Sequence, residues 1–122
     1  MKKMNMTGVS VVMALSFIAG GCASGVSPVT PGQLAETEAT IRSAESAGAF
    51  DRAPDLLQKA RQALGAAQQA SGRKDHQVAR DHILEATAYA EAAQAKAQTE
   101  QMKSEATAVR RQADELEAKI KR

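Results

Sequence analysis

From Asp75 to Arg122 the chain runs for 48 residues without a proline or a glycine. The stretch is rich in Ala, Glu, Lys and Gln, which are strong helix formers, and nothing in it signals a turn. It predicts a single helix, capped by Asp75 and longer than ordinary globular helices. Its apolar residues fall into two sets. Ala79, Ile83, Ala86, Ala90, Ala93 and Ala97 recur at steps of four and three, and so do Met102, Ala106, Val109, Ala113, Leu116 and Ile120. Each set forms one stripe on a helix. Between Ala97 and Met102 the step is five, so the apolar face swings around the helix there. The two halves are expected to pack against different things.

Two shorter helical patterns come before it. The first runs from about Pro31 to Ala47, with Thr30 as cap, Pro31 in the first turn and Gly48 as stop. Leu34, Ile41, Ala44 and Ala47 line one of its faces. The second runs from about Pro54 to Ser71, with Gly72 expected in the left-handed position that ends many helices. Leu57, Ala60, Leu64 and Ala67, with Leu56 and Ala63 beside them, make its stripe. Leu57 and Leu64 are expected to be buried against Ile83 and Ala86 or Ala90. The predicted fold is all-α, a short helical hairpin with three-helix packing and a long projecting third helix. Asp55 with Lys59, Glu115 with Lys119 and Glu117 with Lys121 have the spacing of helical ion pairs.

The N-terminus has another character. Met1 to Asn5 hold Lys2 and Lys3 and no acid, Gly8 to Ala19 are almost wholly apolar, and Gly20-Gly21-Cys22 closes the segment. A basic start, a short apolar run and small residues at the end are the signature of a secretory signal peptide. The run falls well short of the ~20 residues needed to cross a bilayer. The organisation expected is a signal peptide over 1–21, cut between Gly21 and Cys22, and a flexible tether over 22–32. An Ala-rich helical domain over 33–97 and a projecting coiled-coil-like helix over 98–122 follow. The stretch from Ala23 to Gly32, broken by Pro28 and Pro31, would reach at most ~35 Å.

Cys22 is the only cysteine, so it has no intramolecular disulfide partner. Ile18-Ala19-Gly20-Gly21-Cys22 resembles the lipobox of bacterial lipoproteins, departing at Ala19, where Leu is commonest. The resemblance implies a diacylglycerol on the Cys22 thiol, cleavage before it, and an acyl chain on the new amino group. Ala23, Ser24 and Gly25 include no acidic residue of the kind that retains such proteins at the inner membrane. That implies an outer-membrane anchor facing the periplasm.

Further along, Ala47-Gly48-Ala49, Ala53-Pro54, Leu57-x-x-Ala60, Ala63-Leu64, Asp75, Ala79 and Ala86 through Ala93 carry a second resemblance. From Leu34 to about Gln98 the chain resembles a family of Ala-rich bacterial envelope lipoproteins, domain of unknown function 4398. The resemblance implies a helical-hairpin domain and assigns no activity. The distal heptads are similar to those of murein lipoproteins, which join peptidoglycan through a C-terminal lysine. Here the last residues are Lys121-Arg122, a departure from that pattern.

Charge and side-chain inventory narrow the function. Without Lys2 and Lys3, the 16 basic residues become 14 and balance the 14 acidic ones, so nothing suggests a nucleic-acid partner. His76 and His82 lie six apart, on different faces of a helix, where a helical metal pair wants four. They are read as solvated, with no metal site. No phosphate loop, nucleophile elbow or paired-carboxylate cleft occurs, and no catalytic residue is assigned. Tyr89 reads as a core or rim anchor.

The expected function is a non-enzymatic envelope lipoprotein acting as a structural or interaction module, with no cofactor beyond the lipid on Cys22. The alternatives are a peptidoglycan-linking lipoprotein and a binder of a hydrophobic ligand or peptide. The membrane is reached through the lipid. The seam Met102, Val109, Leu116 and Ile120 is expected to take an envelope protein or form a weak homodimer, in which Glu105 and Arg110 would bridge parallel chains.

Overall fold

A computed structural model describes residues 27–121. They form four helices, α1 (Pro31–Ser46), α2 (Ala49–Arg52), α3 (Pro54–Gly72) and α4 (His76–Ile120). The all-α expectation holds, and the long projecting helix is the fourth, not the third. Gly21, Cys22 and the expected signal peptide lie outside the described residues.

α1 opens with a reciprocal cap. Gln33 N–H donates to Thr30 Oγ1 at 3.3 Å, and Thr30 N–H donates to Gln33 Oε1 at 3.0 Å. It ends where the sequence signals, at Gly48, whose φ of +84° disfavours any side chain. The four residues of α2 follow, too few to show a periodicity, and Ala49 and Ala53 are buried on either side of that turn.

The turn between α3 and α4 departs from expectation. Gly72 stays helical, and Lys74 takes the left-handed conformation at φ +64°. Asp75 N–H donates to Ala70 O at 2.9 Å and Lys74 N–H to Ser71 O at 3.0 Å. This crossed pair of bonds closes the last carbonyls of α3 and sets the left-handed residue two positions beyond Gly72. Nor does the Asp75 side chain cap α4. Its carboxylate accepts from Arg73 Nε at 3.2 Å instead.

α3 runs antiparallel to α4, while α1 runs parallel to it. Leu34 packs against the cluster of Val29, Ala70 and Ala79 near the α3–α4 turn, and farther along Ser43 Oγ donates to Gln94 Oε1 at 3.4 Å. Arg61 ties α3 to Glu45 of α1 at 2.6 Å. Among the described residues twelve of the sixteen buried apolar ones are alanine, so the helices meet through small side chains and bury little area at each contact. Leu57 is the largest fully buried side chain among the described residues. Leu57 and Leu64 share one cluster with Ala86 and Ala90, as expected, but Ile83 joins a second with Val29, Ala70 and Ala79. The hairpin register explains the split: with Ala70 level with Ala79, Leu64 comes level with Glu85, beside Ala86, and Ile83 falls nearer the turn.

The second cluster also changes the tether. Val29 is only 8% exposed, and Arg80 Nη2 donates to the Ser27 carbonyl at 2.8 Å. Ser27 to Thr30 are thus docked on the domain rather than free. Burying a valine side chain is worth about 1.5–3 kcal/mol, enough to hold a short strap against its conformational freedom. The covalent reach from Cys22 to Ser27 is at most ~18 Å, about half that expected for the longer tether.

Candidate interaction surface

α4 is one continuous helix of 45 residues, or ~68 Å, whereas the 19 residues of α3 extend ~28 Å. The buried positions of α4 therefore end at Ala97. Beyond it Met102, Val109, Leu116 and Ile120 are 61%, 64%, 59% and 84% exposed. All four seam residues stand together on one face. At 100° per residue, the five-residue step from Ala97 to Met102 turns that face about 140° away from the core.

Sequence periodicity did not single out Leu84, which is 64% exposed on the domain half of α4. It lies five turns before Met102, and Met102 lies five turns before Ile120, so the three share one direction. Between Leu84 and Met102 the same line passes through Ala88, Glu91, Ala95 and Gln98, all exposed. Past Met102 it continues through Ala106, Val109, Ala113 and Leu116 to Ile120. The exposed stripe thus runs along nearly the whole of α4, on a side that α1 and α3 leave open. Its exposed large apolar side chains, Leu84, Met102, Val109, Leu116 and Ile120, make it the candidate contact surface, and Glu91 and Gln98 are its polar members. The spacing of eighteen was the signal for Leu84, masked because the buried alanines already accounted for that half of the helix.

Polar side chains flank the stripe. Lys103 Nζ donates to Glu100 Oε1 at 2.8 Å, and this bond with the ammonium charge holds the Glu100 carboxyl below its ordinary value. Gln101 donates to Glu105 at 3.0 Å, and Lys121 pairs with Glu117 at 3.5 Å, as the spacing predicts. Asp55 and Lys59 do not pair, because the Lys59 ammonium lies over the Tyr89 ring at 5.6 Å. An exposed four-residue ion pair is worth only about 0.3–0.5 kcal/mol, so a cation–π contact of about 0.5–1 kcal/mol can displace it.

That contact borders a groove between α3 and α4, lined by Lys59, Gln62, Ala63, Ala66, His82, Glu85 and Tyr89. Tyr89 is half-buried against the core, the rim position its chemistry suggests. The histidines are less solvated than expected. His82 Nδ1 sits 3.1 Å from Glu85 Oε2, and the half-buried His76 has an Nδ1 without a partner among the described residues. Among the described residues no three His, Cys, Asp or Glu side chains group as a metal site. No helix among them is long and apolar enough to cross a membrane.

The model of a family described as a domain of unknown function, DUF4398, matches residues 32–109. The chain belongs to the DUF4398 family. The DUF4398 unit begins in the first turn of α1, takes in the hairpin, and continues past Gln98 to Val109. It therefore includes part of the projecting helix, which the resemblance in the sequence had stopped short of. No curated protein and no solved structure matches the chain.

Proposed function

We propose that this DUF4398 chain is a non-enzymatic envelope lipoprotein whose helical domain presents α4 as an interaction module in the periplasm. The observation that carries the reading is the lone Cys22, set directly after Gly20-Gly21 at the end of a basic and then apolar leader. Several acyl chains on one residue, at ~0.8 kcal/mol per buried CH2, make a lasting anchor. The fold supports the same arrangement. The strap from Ser27 docks at the α3–α4 turn, and the uncovered half of α4 leaves from the opposite end. A lipid on Cys22 would hold the turn end near the membrane and leave the exposed stripe accessible along the rest of the helix. Ala23, Ser24 and Gly25 favour the outer membrane as the site of the anchor.

Metabolic labelling with a palmitate analogue, followed by membrane fractionation, tests the reading. The parent chain is expected to be labelled, cleaved and membrane-bound. Cys22→Ser is expected to be unlabelled and to accumulate as uncleaved precursor. Normal cleavage of that variant with unchanged membrane association would overturn the proposal.

A further inference from the structure

Leu84, Met102 and Ile120 stand on the exposed stripe of α4 at equal intervals of eighteen residues. From Leu84 its steps run four, three, four, three, four to Met102, and then four, three, four, three, four to Ile120. These steps are those of any straight line along an α-helix; what this sequence adds is Met102 midway between Leu84 and Ile120. Ten steps cover the interval from 84 to 120, a mean of 3.6 residues, which is the period of a straight α-helix. Such a stripe stays on one side of an unsupercoiled helix along its full length.

We propose that α4 pairs with α4 of a second copy, antiparallel, about a two-fold axis at Met102. This names the partner for the interaction face described above and rests on that reading of the face. In this arrangement Leu84 lies across from the partner's Ile120, and Ala88 across from the partner's Leu116. Ala95 meets the partner's Val109, and Glu91 and Gln98 meet the partner's Ala113 and the partner's Ala106. Every layer between the ends and the centre sets a longer side chain against an alanine, so the two helices can approach closely and interdigitate. A two-fold interface of this kind is self-complementary and closes on itself.

The parallel alternative fails on charge and on area. In register, it would set Glu91 against the partner's Glu91 within the seam, a like-charge layer that splays the helices. Contact would then shrink to the half from Met102 to Ile120. Antiparallel pairing uses the whole stripe, ~54 Å long. With a contact strip ~10 Å wide, this comes to ~540 Å² per copy, or ~1,100 Å² in total. That passes the ~1,000 Å² of a specific interface, whereas the half-length pair would reach only about half as much. The stripe also faces about 140° from the core, so each copy's α1 and α3 stand clear of the partner helix.

Full-length chain carrying Cys22→Ser provides a background in which introduced cysteines stand alone. Leu84→Cys and Ile120→Cys chains, mixed and mildly oxidised, are expected to form a covalent heterodimer, while Leu116→Cys alone links to itself poorly. Sedimentation of the background chain is expected to show a concentration-dependent dimer. Met102→Glu places two carboxylates at the axis and is expected to weaken it about tenfold or more, with helix content unchanged because Met102 is exposed in the single chain. A monomer at every concentration up to the millimolar range would overturn the pairing. So would Leu116→Cys linking to itself faster than the mixed pair, which would mark a parallel dimer. Neither result bears on acylation of Cys22, so a failure of the pairing and a failure of the anchoring are told apart.

Discussion

The Arg80 guanidinium donates to the Ser27 carbonyl oxygen at 2.8 Å, joining residues 53 positions apart and fastening the start of the domain to its longest helix. Val29, two residues on, packs the same strap onto Ala70 and Ala79. Arg80→Ala is expected to cost about 1 kcal/mol, the usual net worth of one hydrogen bond. Amide exchange at Gln33 and Leu34, the first donors of α1, is expected to quicken. Unchanged exchange there would show that Val29 alone holds the strap.

Lys74 and Gly48, the two positive-φ residues among the described residues, predict shifts of opposite sign. Lys74 occupies a left-handed position at a cost of roughly 1–2 kcal/mol for an L-residue, and Lys74→Gly removes it. Part of that gain is offset by the greater freedom of glycine in the unfolded chain, leaving a stabilisation of about 0.5–1 kcal/mol. Gly48→Ala imposes the same strain where none exists and drives a Cβ toward the Arg52 guanidinium, for a loss of about 1–2 kcal/mol. Urea denaturation reads both, and midpoints moving in the same direction would contradict the assigned turns.

Core and stripe should answer differently to truncation. Leu57→Ala removes the largest fully buried side chain and is expected to cost ~2–4 kcal/mol. Val109→Ala on the exposed stripe is expected to stay within about 0.5 kcal/mol when the chain is dilute enough to be monomeric. Thermal unfolding at low concentration measures both. Equal losses would place Val109 in a core.

Glu100 supplies a pH prediction. Its carboxyl lies below the ordinary value because Lys103 donates to it and attracts its charge. A depressed folded value means that the interaction contributes at neutral pH and is lost as the pH falls through that lowered value. In a carboxyl-carbon NMR titration, Lys103→Gln is expected to raise the Glu100 midpoint. A midpoint unmoved by the substitution would assign the shift to another cause.

Much of this fold could be read locally. The alanine stripes of α3 and α4, the Thr30 cap and the Gly48 stop depend on residues within a turn or two, and helix geometry turns such spacings directly into faces. The five-residue step at Ala97 announced that the core face ends, and the structure places its last buried residue there. The expected lipidation of Cys22 is a reading of a sequence motif, and Cys22 lies outside the described residues. Other features depended on what lies nearby in space. Sequence position put Val29 in a tether, but the turn end of the hairpin offers it an apolar seat.

The three longer helices, their stripes and the swing of the apolar face were determined by the sequence alone, because all three follow from a period of 3.6 residues, whereas α2 is too short to show one. Tertiary structure decided that Lys74 rather than Gly72 is left-handed, because the crossed bonds to Ala70 and Ser71 close the end of α3 there. It decided the place of Ile83 through the register of the hairpin. It also showed Leu84 to be part of the exposed stripe. A periodic pattern specifies which residues share a face, but which face meets water depends on where the other helices pack, and α1 and α3 leave this one open.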